Sequence, residues 1–157
     1  MSGHGEGREK IGFCGLYCGD CYAHQGKIAD LARDLRAELR KARFETLAEW
    51  LSQVPFFRKL KDYKTCYEVL GSIVKFRCSK GCREGGGPPF CKVRGCCGEK
   101  EIEGCWECDE FKDCNKLEFV EALHGDAHLA NLRKLKKQGI DAFLAGKRYW
   151  FGKEKKG

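Results

Sequence analysis

Eight cysteines fall between Cys78 and Cys114, a stretch of 37 residues in which apolar side chains show almost no helical or strand periodicity. That stretch constrains the rest of the chain. Ordering a residue costs about 1–2 kcal/mol of backbone entropy, and a segment without a repeating apolar face has little hydrocarbon to offset it. Gly85-Gly86-Gly87-Pro88-Pro89 also excludes a regular element from its first half. The sulfurs are then the candidate organisers: a structural zinc site is worth about 10–16 kcal/mol, against a net domain stability of about 5–15 kcal/mol.

Twelve cysteines in a secreted chain would suggest disulfides, whereas in a reducing compartment close-spaced cysteines more often hold metal. Met1 to Lys10 is Gly-rich and charged and has no apolar stretch that could serve as the core of a signal peptide. No run of eighteen apolar residues is present to span a bilayer. The expectation is a cytoplasmic protein without a membrane association.

Spacing sharpens the metal reading. Two thiolates separated by two to four residues reach one tetrahedral ion when a tight turn points both sulfurs inward. Cys18/Cys21 and Cys105/Cys108 have two intervening residues, Cys14/Cys18 and Cys78/Cys82 three, and Cys91/Cys96 four. Gly15, Gly19, Gly81, Gly95 and Gly98 lie in or beside these turns. Three thiolates near the N-terminus need a fourth ligand from far along the chain, so the first knuckle is expected to dock on the later cysteine-rich zone. Cys114, Cys97 or a histidine remain alternatives for it. A competing arrangement joins Cys105 and Cys108 to His124 and His128 in a two-cysteine, two-histidine finger. Cys66, alone in a helical segment, reads as a small buried hydrophobe.

The metal expected is zinc, with an iron–sulfur cluster as the alternative, because all-cysteine ligation suits either. The spacing Cys14-x3-Cys18-x2-Cys21 also equals the cluster triad of radical enzymes that cleave S-adenosylmethionine. Those enzymes need a barrel that 157 mainly helical residues cannot build.

Elsewhere the apolar pattern predicts helices. Ile28, Leu31, Leu35, Leu39 and Ala42 recur at spacings of three and four, a stripe expected to face a core. Phe44, Leu47, Trp50 and Leu51 continue to Val54, Pro55 marks a break or a new first turn, and Thr65 to Phe76 reads as a further helix. Leu117, Val120 and Leu123 form a short stripe, and Asp126 is a plausible N-cap for Ala127 to Gln138. Leu129, Leu132 and Leu135 would be that helix's buried face and Gly139 its stop, with Ile140, Phe143 and Leu144 in a last short helix. The fold class expected is mainly α with irregular cysteine-rich knuckles, a small α+β arrangement being the alternative. Its layout is a flexible leader over 1–12, one domain over 13–150 and a basic tail over 151–157. The domain comprises a knuckle (13–25), helices (27–77), the cysteine-rich zone (78–114) and helices (115–146). Tyr149-Trp150-Phe151 would anchor the tail to it.

The formal charge of +7 is entirely C-terminal: Asn131 to Gly157 holds nine Lys/Arg and two acids. Arg133, Lys134, Lys136, Lys137, Lys147 and Arg148, with Tyr149 and Trp150, could meet nucleic acid through phosphate contact and base stacking. Glu99 to Asp113, with seven acids and two lysines, would repel it.

The segments CGLYCGDC, a later C-x3-C with GGGPPFCKVRGC, EGCWECDEFKDCNKL and HGDAHLANLRKLKKQG together resemble a bacterial and archaeal family, domain of unknown function 3795. The resemblance spans about Phe13 to Tyr149. It implies metal binding and no particular reaction. Its cysteine pattern falls on Cys14, Cys18, Cys21, Cys78, Cys82, Cys91, Cys96, Cys105, Cys108 and Cys114, leaving out Cys66 and Cys97. Pro88 and Pro89 stand where many relatives carry an additional cysteine.

Three functions compete. A binding or adaptor module with structural zinc, meeting a protein partner, is favoured because no nucleophile, base and orienter arrangement is recognisable. A redox or catalytic metalloprotein is second, with Tyr17, Asp20 and His24 beside the first knuckle as proton-handling groups. A zinc-dependent nucleic-acid-binding module is third.

Overall fold

The computed structural model describes residues 7–152. The outermost parts of the expected leader and basic tail, residues 1–6 and 153–157, lie outside them. The described chain is mainly helical, as the periodicity predicts, and its only β pairing is one antiparallel bridge between Ile11 and Tyr17. Two compact units divide the chain: residues 1–24 with 79–157, and residues 25–78.

In chain order the helices are α1 (Tyr22–Gln25), α2 (Lys27–Lys41), α3 (Phe44–Leu51), α4 (Tyr63–Lys75), α5 (Lys92–Glu99), α6 (Glu118–His124) and α7 (Ala127–Ala145). The unit of residues 25–78 contains α2, α3 and α4, with a 3-10 stretch Pro55–Asp62 leading into α4. There Pro55 takes the first helical turn, where a missing N–H costs nothing. Helix α2 packs along α4. The Arg36 guanidinium lies 4.3 Å over the Tyr67 ring, and Phe44 meets Tyr63 with ring centroids 5.4 Å apart.

The apolar stripe of α2 departs from expectation. Its buried residues are Ala29 and Ala32, whereas Ile28, Leu31 and Leu35 are exposed, Leu31 by 60%. Small side chains let neighbouring helices approach closely, so the buried face is the alanine one and the longer side chains are left outside. Trp50 at 70% and Phe56 at 87% are exposed in the same unit, as is Cys66, which is therefore not a buried hydrophobe.

The other unit holds the core: Ile11, Leu16, Val93, Cys97, Trp106, Phe111, Leu117, Val120, Ala127, Leu132, Leu135 and Phe143. Four of these lie between Cys78 and Cys114, and α5 runs through the middle of that zone, beginning three residues after Pro89. The cysteine-rich stretch thus carries more hydrocarbon than its pattern suggests. Its apolar residues are spaced irregularly because short turns, not one long helix, aim them inward. Residues 7–12 are likewise packed on this unit. Ile11 is fully buried, Gly7 to Lys10 form a 3-10 turn, and Arg8 pairs with Glu103 at 2.7 Å.

Helix α7 matches its sequence reading closely. Leu132 and Leu135 are buried, Asp126 occupies the N-cap position without a capping hydrogen bond, and Gly139 interrupts the helix at φ 84°. With ψ at 174° this is a region essentially only glycine occupies, at a cost of about 1–3 kcal/mol to an L side chain, which is why glycine stands there. Phe143 in the last segment is fully buried. Leu123, expected on a buried stripe, is exposed one turn beyond Val120. No helix among the described residues is long and apolar enough to cross a membrane.

Candidate metal centre

The first knuckle is a tight reversal. Gly12 N–H donates to the Leu16 carbonyl at 2.7 Å, and Gly15 turns the chain at φ 84°. A Cβ on Gly15 would come within 2.9 Å of the Leu132 side chain, so glycine also lets the knuckle lie directly on α7. Three 3-10 turns then open on cysteine: Cys18–Asp20, Cys82–Glu84 and Cys105–Glu107. In each, the N–H three residues on returns to the cysteine carbonyl: Cys21 to Cys18 at 3.1 Å, Gly85 to Cys82 at 3.3 Å, and Cys108 to Cys105 at 3.1 Å. This closes the two C-x2-C loops, as a pair of thiolate ligands requires.

Long-range contacts assemble the turns into one unit. The Cys105 N–H donates to the Phe13 carbonyl at 2.9 Å, and the Cys82 N–H reaches the Cys18 sulfur at 3.5 Å. The expected docking of the first knuckle on the later zone is therefore present. A Cβ on Gly12 would touch both Cys82 Sγ (3.7 Å) and Cys14 Sγ (3.8 Å), so those two sulfurs flank one glycine. Cys97 Sγ and Cys105 Sγ are 3.8 Å apart.

Burial pushes the Cys14 thiol up to about 12, helped by the nearby Cys82 and Cys91 thiols. Burial likewise raises Cys82, while Arg94 and Arg83 oppose the shift. The Cys97 and Cys105 thiols are hydrogen-bonded to each other, and either can be the donor. Cys105 is raised by its bond to Cys97 and by burial, with Cys14 and Cys114 adding to the crowding. Cys97 is lowered by that bond and by the Arg83 and Lys100 charges, against the opposing effect of burial.

Of the ten cysteines read as ligands, Cys14, Cys18, Cys21, Cys82, Cys91, Cys96, Cys105, Cys108 and Cys114 lie in the cysteine-rich unit. Cys78 is the last residue of the helical one. Cys91 caps α5 and Cys96 is half-buried on it. Cys108 takes a 3.6 Å hydrogen bond from Lys100, which also pairs with Glu110. The thiols stand in pairs: among the described residues no three His, Cys, Asp or Glu side chains form a group that could hold a metal ion.

Two arginines missed by the sequence reading hold irregular backbone in the cysteine-rich unit, Arg94 that of the glycine-rich loop. Arg83 donates to the Ile11 and Glu103 carbonyls, both at 2.9 Å, and lies over the Phe13 and Trp106 rings. Arg94 donates to the carbonyls of Cys82 (3.0 Å), Gly86 (2.8 Å) and Pro88 (3.1 Å). A planar guanidinium with five donors can satisfy several loop carbonyls at once, a role no spacing rule announces. Cys97, fully inside the core, was also left out of the ligand set.

The two histidines of the finger alternative serve the fold instead. The fully buried His128 contacts the Gly125 carbonyl through Nδ1 at 3.1 Å, and His124 contacts the Trp150 carbonyl through Nδ1 at 2.8 Å. With Asn131, which exchanges two hydrogen bonds with the Tyr149 backbone, His124 binds the aromatic segment Tyr149-Trp150-Phe151 to the unit. Much of the basic C-terminal set is engaged internally. Lys134 bonds the Lys147 carbonyl, Lys136 pairs with Asp109, and Arg148 pairs with Asp20 while lying 4.4 Å over Tyr17. Tyr17 and Asp20 thus anchor the C-terminal segment, and the Nδ1 atom of His24 is buried without a hydrogen-bond partner.

A family model described as "Protein of unknown function (DUF3795)" matches residues 10–119. The matched span takes in all ten candidate ligands, Arg83 and Arg94, and stops before α7, short of the Tyr149 that the motifs suggested. No curated protein and no solved structure matches the chain. With more than half of its residues matched, and the cysteine turns lying inside the match, the chain belongs to the DUF3795 family.

Proposed function

We propose that the protein binds zinc at structural thiolate sites drawn from Cys14, Cys18, Cys21, Cys78, Cys82, Cys91, Cys96, Cys105, Cys108 and Cys114, and acts as a binding or adaptor module. The observation that carries this reading is the set of three 3-10 turns opening on Cys18, Cys82 and Cys105 and gathered in one unit. Closed C-x2-C turns with exclusively sulfur donors suit zinc. Arg83, Arg94 and Lys100 lie where their positive charges offset those of the thiolates. Bound zinc would supply a cross-link between turns that rotation of the paired thiols about χ1 completes. The binding role draws on the helical unit, where Leu31, Trp50 and Phe56 face solvent, a feature of protein-contacting surfaces.

Elemental analysis and an absorption spectrum of anaerobically purified protein test the metal, and chelation tests its role. Colourless, zinc-loaded protein that unfolds cooperatively when stripped supports the reading. A fold unchanged in the metal-free protein overturns it, and bound iron with visible absorption replaces zinc by an iron–sulfur cluster.

A further inference from the structure

We infer that the concavity between α7 and the 3-10 turn Phe111–Asp113 binds one compact phosphate group, carried either as the free anion or as a phosphomonoester. None of the ten candidate metal ligands lines it, so the inference stands apart from the metal-binding reading.

The concavity has a volume of about 330 Å³ and is lined by Asp109, Phe111, Lys112, Arg133, Lys136 and Lys137. Burial of Leu132 and Leu135 fixes the rotation of α7, and Arg133, Lys136 and Lys137, three and four residues apart, then share an outward face. Lys112 joins them from the turn that buries Phe111. Four cations therefore surround one carboxylate. Asp109 is committed to Lys136, whose ammonium lies 5.9 Å from the centre of the Phe111 ring. Among the described residues, Lys112, Arg133 and Lys137 have neither an ion pair nor a side-chain hydrogen bond. Their neighbours in the basic C-terminal set are used by the fold, Lys134 on the Lys147 carbonyl and Arg148 on Asp20.

Like charges three and four residues apart on a helix repel, and a concave surface lined by one sign of charge concentrates its field over the enclosed space. A tetrahedral dianion relieves that repulsion and takes charge-assisted hydrogen bonds, a bidentate pair from the planar Arg133 guanidinium and others from the ammonium groups of Lys112 and Lys137. The next concavity restricts the ligand's size. It shares Asp109 and adds Glu107 and Glu110, with Lys100, already paired with Glu110, as its one cation. A phosphodiester strand running off the cationic site in that direction would meet carboxylates, whereas a single phosphate stays within the positive zone.

Titration of the full-length protein with inorganic phosphate, followed by two-dimensional proton–nitrogen NMR, provides the test, and glycerol phosphate in a parallel titration identifies the source of the group. The expected result is saturable shifts in residues 109–113 and 133–137. Arg133→Gln and Lys137→Gln should each weaken binding by about threefold or more, with Lys61→Gln leaving it unchanged. Saturable binding that is tighter for glycerol phosphate supports the site and assigns it to a phosphomonoester, and equal or weaker binding of the ester supports it with the free anion as ligand. Shifts that do not saturate, or that appear equally at Lys61 and other exposed lysines, overturn the inference. So does a single-stranded oligonucleotide that binds more tightly per phosphate with an affinity that falls steeply with salt, because that behaviour belongs to a nucleic-acid surface.

Discussion

The two units solve the same problem, ordering some tens of residues, by opposite means. Residues 25–78 form three regular helices that bury little beyond Ala29, Ala32 and Ala48, with their large apolar side chains in contact with solvent. The other unit has few long helices, yet it buries Ile11, Leu132, Phe143 and Trp106 and gathers ten of the twelve thiols. Local helical regularity and core formation are therefore separable. A helix satisfies its own backbone whatever its outer face does, whereas irregular turns hold only if side chains, guanidinium groups or metals satisfy the backbone for them.

Chelating the zinc proposed for the cysteine turns should break the comparison most sharply. Hydrogen exchange followed by mass spectrometry is expected to show loss of protection throughout the cysteine-rich unit and retained protection in α2, α3 and α4. A structural zinc site is worth about 10–16 kcal/mol, so the contrast should be large. Parallel loss in both units would mean that the helical unit depends on the other.

Truncating the core comes next. Phe143→Ala is expected to destabilise the protein by about 3–5 kcal/mol, since it empties a fully buried aromatic site. Trp50→Ala, at an exposed position, should stay within about 0.5 kcal/mol. Chemical denaturation of the purified variants measures both. Arg83→Met keeps most of the side chain's length but removes its bonds to the Ile11 and Glu103 carbonyls, for an expected cost of about 1.5–3 kcal/mol. Gly139→Ala, read from the same transition, is expected to cost about 1–3 kcal/mol, because only the φ of 84° with ψ 174° is at stake and no neighbour lies within 4 Å of an added Cβ. Trp50→Ala is the smallest effect of the set.

Legibility in the sequence followed range. Thr65 to Phe76 was readable as a helix, observed as Tyr63–Lys75, because a four-turn apolar pattern is a local property. Gly139 was readable as a stop for the same reason. Ile28, Leu31 and Leu35 show where the rule ends: periodicity marks a face as apolar but does not say that anything covers it. Cys18/Cys21 and Cys105/Cys108 were legible as closed turns from spacing alone. Arg83, Arg94 and Cys97 were not, because each acts on atoms that only the fold brings near.

By itself the sequence determined the helical segments, the cysteine turns and membership of a cysteine-patterned family, all properties of residues close together along the chain. Tertiary structure alone decided that alanines rather than leucines would be the buried residues of α2. It also decided that the Arg94 guanidinium would hold the glycine-rich loop, and that Cys97 would stand 3.8 Å from Cys105. The physical reason is that hydrogen bonds, burial and sulfur contacts act over a few ångströms of space, and separation along the chain does not record that distance.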